Sequence, residues 1–157
     1  MKNGCMNDWS SILICTFFKV TARASLGPRF AERDFVEEVV QGDKEYLSFR
    51  GCHGLIEVGY ERNLLERFQP TVCVRPTQVW RGRPYPYCVP LWFLIAESDP
   101  ARLYTSWNFE NEDELREVLG RLWTQVIVPY AMPLACDDSA LRQTLGKFIE
   151  SNSRDLV

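Results

Sequence analysis

The sequence predicts an α+β fold: an antiparallel sheet of about five strands, with an N-terminal helix and two C-terminal helices packed on one face. Three observations carry this. Residues Phe35 to Glu97 read as short strands joined by tight turns. Residues Asn111 to Ile149 read as two capped amphipathic helices. Strands precede helices instead of alternating with them, which disfavours a parallel βαβ sheet.

Asp8 to Ala24 suits a first helix. Trp9, Leu13, Phe17 and Val20 recur at helical spacing, and Asp8 is placed to cap the start. Leu26-Gly27-Pro28 is expected to stop it, because proline cannot continue a helix without losing a hydrogen bond. Asp34 to Gln41 suits either a helix, through Phe35, Val36, Val39 and Val40, or a strand; the preferred reading pairs Phe35 to Gln41 with Lys44 to Arg50 around Gly42-Asp43. Gly51-Cys52-His53-Gly54 is a second turn. Leu55 to Glu61 alternates: Ile56, Val58 and Tyr60 share one face, and Leu55, Glu57 and Gly59 the other.

Asn63 to Phe68 reads as a connection, and Thr71 to Arg75 as a short strand edged by Pro70 and Pro76. A loop is expected from Pro76 to Pro86. Tyr87 to Glu97 is almost continuously apolar, which predicts a long strand covered on both faces. Leu103 to Trp107 suggests a last short strand. Asn111 with Glu114 forms a capping box. Leu115, Val118, Leu119, Leu122, Trp123, Val126 and Ile127 make a wide apolar stripe, which Pro129 is expected to end. Asp137 or Asp138 starts the last helix, with Leu141, Leu145, Phe148 and Ile149 on one stripe and a frayed tail from Ser151 to Val157.

The 157 residues suit one domain, spanning 1–157. Apolar residues make up 46%, enough for a substantial core and unlike the composition of a disordered chain. Lys+Arg total 18 against 21 Asp+Glu, a net charge of −3. That balance disfavours nucleic acid, whose binding needs many cationic phosphate contacts. The apolar stretch Ile12 to Phe18 is too short to span a bilayer, so no membrane association is expected. Cys5, Cys15, Cys52, Cys73, Cys88 and Cys136 are spread along the chain, several inside apolar runs. Cysteine in that setting acts as a small hydrophobe, which points to reduced thiols and a cytoplasmic location.

No Cys-x-x-Cys pair, glycine-rich phosphate loop or Ser-His-Asp set is present, and His53 is the sole histidine. Cys52 and His53 are adjacent, and adjacent side chains seldom converge on one point. No catalytic residue, cofactor or metal is expected. Glu57, Glu61, Arg62, Glu66 and Arg67 read as a solvated, ion-paired face. The richest local cluster is Arg75, Trp80, Arg81, Arg83, Tyr85 and Tyr87, because arginine and aromatic residues dominate binding hot spots. Those six are the candidate binding residues. Trp92, Trp107 and Trp123 offer a different possibility, a ligand pocket between sheet and helices.

The segments YLSFRGCHGLIEVGYER, YCVPLWFLIAE and NEDELREVLGRLWTQVIVPYAMPL, in that order behind a leading helix, give most of the chain a pattern. It resembles small uncharacterised bacterial α+β proteins, among them toxin-immunity proteins. The resemblance implies a non-enzymatic module that binds another protein, of toxin-neutralising type. A small-ligand-binding domain or enzyme and a subunit of a larger assembly are the alternatives.

Overall fold

A computed structural model describes residues 4–39, 46–62, 67–77, 79–80, 83–84, 87–99, 101 and 107–155. The fold is α+β, with an antiparallel five-stranded sheet, an N-terminal helix and C-terminal helices.

Helix α1 spans Gly4–Ala31 and runs straight through Gly27-Pro28, past the expected stop. Burial overrides the local cost of the proline. Leu26 and Phe30, on either side of it, are fully buried, and ending the helix there would forfeit the placement of Phe30. The buried stripe is Phe18, Ala22, Leu26 and Phe30, while Val20, expected on the apolar face, is 65% exposed.

The end of α1 is a Schellman motif. The Phe35 amide donates to the Phe30 carbonyl at 3.0 Å, and the Asp34 amide to the Ala31 carbonyl at 3.1 Å. Asp34 takes the left-handed conformation (φ 64°), a role aspartate fills less often than glycine. The hydrophobic contact that accompanies this motif is also present, with the Phe30 and Phe35 rings 5.5 Å apart.

The sheet comprises β1 (Val36–Glu38), β2 (Leu47–Arg50), β3 (Gly54–Arg62), β4 (Phe68–Pro76) and β7 (Val89–Pro90), neighbours in that order and all antiparallel. The first strand pair therefore forms as expected; its turn, residues 40–45, lies outside the described residues, as do residues 63–66 of the expected connection and residues 103–106 of the expected last strand. The register sets Leu47 opposite Val58 and Phe49 opposite Ile56. These side chains, with Val72, Val74 and Val89, face the helices and are buried.

β4 is longer than expected and contains both flanking prolines. The register explains their tolerance. Thr77 donates from its amide to the His53 carbonyl at 3.2 Å, so odd-numbered residues of β4 direct their amides toward β3. Pro70 and Pro76 are even-numbered, and their missing donors face away from β3. On that side β7 pairs only with Cys73 and Val74.

The run Tyr87 to Glu97 is not a long central strand. β7 holds two residues at the sheet edge, and Leu91–Ser98 forms helix α2. Pro90, extended at φ −72° and ψ 145°, serves as its N-cap residue. A continuous apolar run fits a buried strand and a buried helix equally well. The expected loop Pro76–Pro86 carries a small ribbon, β5 (Val79–Trp80) paired with β6 (Arg83–Pro84).

Helix α3 (Glu112–Leu122) starts as expected: the Asn111 side chain accepts from the Glu114 amide at 2.9 Å. Glu114 reaches back to the Glu110 amide at 2.7 Å. Pro129 does not end the helical path. The chain widens into a π-helical segment, Trp123–Ala131, and continues as α4 (Met132–Ala135). Proline in an α-helix clashes with the carbonyl four residues back, and a wider turn relieves that contact. Val126, Ile127 and Ala131 stay fully buried across it. Asp137 caps α5 by accepting from the Ala140 amide at 3.0 Å. That helix spans Asp138–Asp155, so most of the expected frayed tail is helical.

The β2–β3 turn docks against α4: the His53 amide donates to the Ala135 carbonyl at 3.0 Å. A Cβ on Gly54 would lie 2.9 Å from the Ala135 Cα. Gly54→Ala is therefore expected to lower the unfolding free energy by about 1–3 kcal/mol. Gly146→Ala, in α5 with open space around it, is expected to raise it by about 0.4–1 kcal/mol. Urea unfolding of the two variants, read by circular dichroism, checks the opposite signs.

Candidate functional site

The sheet face turned away from the helices carries a compact set of ionisable groups. The β3–β4 register pairs Glu57 with Cys73 and Leu55 with Arg75, so Glu57 and Arg75 are diagonal neighbours. The Arg75 Nε donates to Glu57 Oε1 at 2.9 Å, and the two side chains are only 21% and 14% exposed. The Cys73 Sγ donates to Glu57 Oε2 at 3.4 Å. Val74 pairs with Val89, which brings Cys88 beside Arg75 and Cys73.

This geometry sets the proton affinities. The hydrogen bond shared with Cys88 pushes the Cys73 thiol up, and burial and the charges of Cys88 and Glu57 add to it. Cys88 is drawn down from 9.0 to about 7, chiefly by the Cys73 hydrogen bond, with Arg75 assisting and burial opposing. Burial works against the Arg75 cation, but the Glu57 hydrogen bond and charge outweigh it and raise its pKa. Tyr46 is raised by burial and then by Glu57. A thiol has one proton to give. When Cys88 is a thiolate, Cys73 serves it; when Cys88 is protonated, Cys73 is free to serve Glu57.

Beside this cluster lies a groove of about 440 Å³ along the β4 edge, lined by Gln69, Thr71, Cys73, Trp92, Trp107 and Val126 among others. Trp92 is 56% exposed yet braced: its ring meets Phe148 edge-on at 6.0 Å and Phe93 at 6.2 Å. Tyr87, just before β7, is 50% exposed.

Of the expected binding residues, Arg75, Trp80, Arg83 and Tyr87 fall in described segments. Arg75 belongs to β4 and is engaged with Glu57, not displayed on a loop. Trp80 and Arg83 are partners in the small ribbon. Arg81 and Tyr85 lie outside the described residues. Tyr87 is half exposed. Of the three tryptophans, Trp92 and Trp107 line the groove, whereas Trp123 is buried against Phe30 at 5.0 Å. Cys52 and His53 are both exposed, and the part of His53 that the fold uses is its backbone: its carbonyl accepts from the Thr77 amide and Oγ1.

Sequence reasoning missed the Glu57–Arg75–Cys73–Cys88 set. Glu57 was expected on a solvated face with weak exposed pairs, and its pair with Arg75 is largely sequestered. The alternation that placed Glu57 opposite Ile56 and Val58 was the available signal. The β4–β7 register was hidden by the misread apolar run.

Among the described residues, no group of three or more His, Cys, Asp or Glu side chains is arranged to hold a metal ion, and no helix is long and apolar enough to cross a membrane. Comparison with protein-family models finds no match, and comparisons with curated proteins and with solved structures find none either.

The thiol pair makes stability pH-dependent, with a sign fixed by the two shifts. Between about pH 7 and 9 the folded Cys88 has lost a proton that the unfolded chain still holds, so stability rises with pH. Above that window the unfolded chain loses the second thiol proton while folded Cys73 keeps its own, and stability falls. Urea midpoints measured from neutral to alkaline pH should pass through a maximum, which Cys88→Ser flattens on its rising side.

Proposed function

We propose that the protein is a non-enzymatic module that binds another protein, using the groove along β4 with Tyr87 and Trp92 as anchors. The observation that carries this is Trp92: a large ring more than half exposed, yet held in place by Phe148 and Phe93. A rigid exposed aromatic loses little entropy on binding, and tryptophan and tyrosine are prominent among hot-spot residues. The ionisable cluster next to it is largely paired within the fold. Toxin neutralisation is the specific form of this reading that the resemblance of the sequence implies. A cytoplasmic setting fits it, since Cys52, Cys73, Cys88 and Cys136 are all free thiols.

A second reading is favoured by the groove itself. Its volume of about 440 Å³ falls within the range of small-molecule pockets, and Gln69 and Thr71 offer polar anchors beside Trp92 and Trp107.

Parallel capture from source lysate on wild-type protein and on a Tyr87→Ser/Trp92→Ser variant separates the readings. The proposal expects a protein retained by wild type and reduced by at least about 30-fold on the variant, the loss that a single hot spot alone predicts. Far-UV circular dichroism of the two at the capture temperature should coincide, since neither residue belongs to the buried core. Identical retained sets on the two surfaces would end the protein-partner reading. An apolar fluorescent dye that brightens on wild type, and not on the variant, would favour the small-molecule reading instead.

A further inference from the structure

We propose that Cys73 and Cys88 form a dithiol modification site, which a hydroperoxide oxidises to a disulfide tying β7 to β4. The inference is independent of what the groove binds. It rests on the placement of four side chains. Cys73 lies on β4 and Cys88 immediately precedes β7; the antiparallel register, continued by one residue, sets Cys88 opposite Arg75 and diagonal to Cys73 on the same sheet face. The Arg75 cation adjoins Cys88, and Glu57 accepts from Cys73. Both cysteines are partly solvent-accessible, and Cys73 lines the groove, so a small oxidant reaches them. Cys88 precedes the first paired residue of β7, which leaves its backbone room to close the sulfur–sulfur distance.

The roles divide by environment. Cys88, with a pKa near 7, is the nucleophile: a thiolate at neutral pH beside a cation. Cys73, held as a thiol, is the resolving group. In the first step the Cys88 thiolate attacks one oxygen of the hydroperoxide. An S–O bond forms, the O–O bond breaks, and the released hydroxide or alkoxide takes a proton from solvent. Cys88 is now a sulfenic acid. In the second step the Cys73 sulfur attacks the Cys88 sulfur. The S–S bond forms, the S–O bond breaks, and the departing hydroxide leaves as water with the Cys73 proton, which Glu57 is placed to relay. Two thiols lose two electrons in total, and the peroxide gains them.

The test uses the full chain, reduced, freed of reductant, and treated with stoichiometric hydrogen peroxide at neutral pH. The expected product has lost two hydrogens, and its digest contains one cross-linked peptide joining the Cys73 and Cys88 segments. Cys88→Ser should slow peroxide consumption by about tenfold or more, as expected when the low-pKa thiolate is removed. Cys73→Ser should still consume peroxide but stop at a sulfenic acid that dimedone traps on Cys88. Wild-type digests that show the cross-link elsewhere, such as Cys52 to Cys136, would overturn the proposal. So would Cys88 alkylating with iodoacetamide equally fast before and after peroxide. Both of these readouts come from the unmutated chain, so a variant that fails to fold does not shield the idea.

Discussion

Phe30 touches three elements at once. Its ring stacks on Phe49 of β2 with centroids 4.1 Å apart and planes at 15°. It meets Trp123 of the π-helical segment edge-on at 5.0 Å, and Phe35, at the entry to β1, at 5.5 Å. Its carbonyl closes the Schellman motif that ends α1. One fully buried side chain thus joins the N-terminal helix to the sheet and to the C-terminal helical path. Aromatic contacts of this kind add to burial roughly 0.5–1.5 kcal/mol per pair. Arg29 of α1 and Arg33 of the turn that follows it approach the Trp123 ring at 6.0 Å and 5.8 Å, adding cationic groups to its contacts.

That junction accounts for the places where local rules yield. Pro28 lies inside α1 because Phe30 must reach Phe49, and a helix ended at Gly27 would not carry it there. Pro129 lies inside a helical path because Trp123, Val126 and Ile127 before it and Ala131 after it are all in the core. In both cases the cost of one lost backbone hydrogen bond is smaller than the cost of exposing the apolar side chains beyond it. Pro70 and Pro76 show a milder version. They lose nothing, because the register turns their missing donors toward the sparsely paired side of β4.

Much of the fold was legible for reasons that are local. Asn111 with Glu114, Asp137, and the alternation of Ile56 and Val58 each specify a cap or a face within a few residues, and the structure shows them in those roles. What was not legible depended on contacts far apart in the chain. Tyr87 to Glu97 is apolar enough for a strand or a helix, and only Val89 and Pro90 of it pair with β4 before the chain turns helical. Among the candidate binding residues, Arg75 shows the same dependence. Arg75 reads in sequence as a loop arginine among aromatics, and its partner Glu57 is supplied by the neighbouring strand. The thiol pair was invisible because its register follows from β7, an element only two residues long.

The most direct measurement is the unfolding free energy of Phe30→Ala by urea denaturation, read together with hydrogen exchange across α1. The junction described here predicts a loss of about 3–5 kcal/mol, with exchange protection falling in α1, β2 and the π-helical segment together. A loss below about 1 kcal/mol, of the size surface substitutions give, would contradict it. So would a loss of protection confined to the last turn of α1.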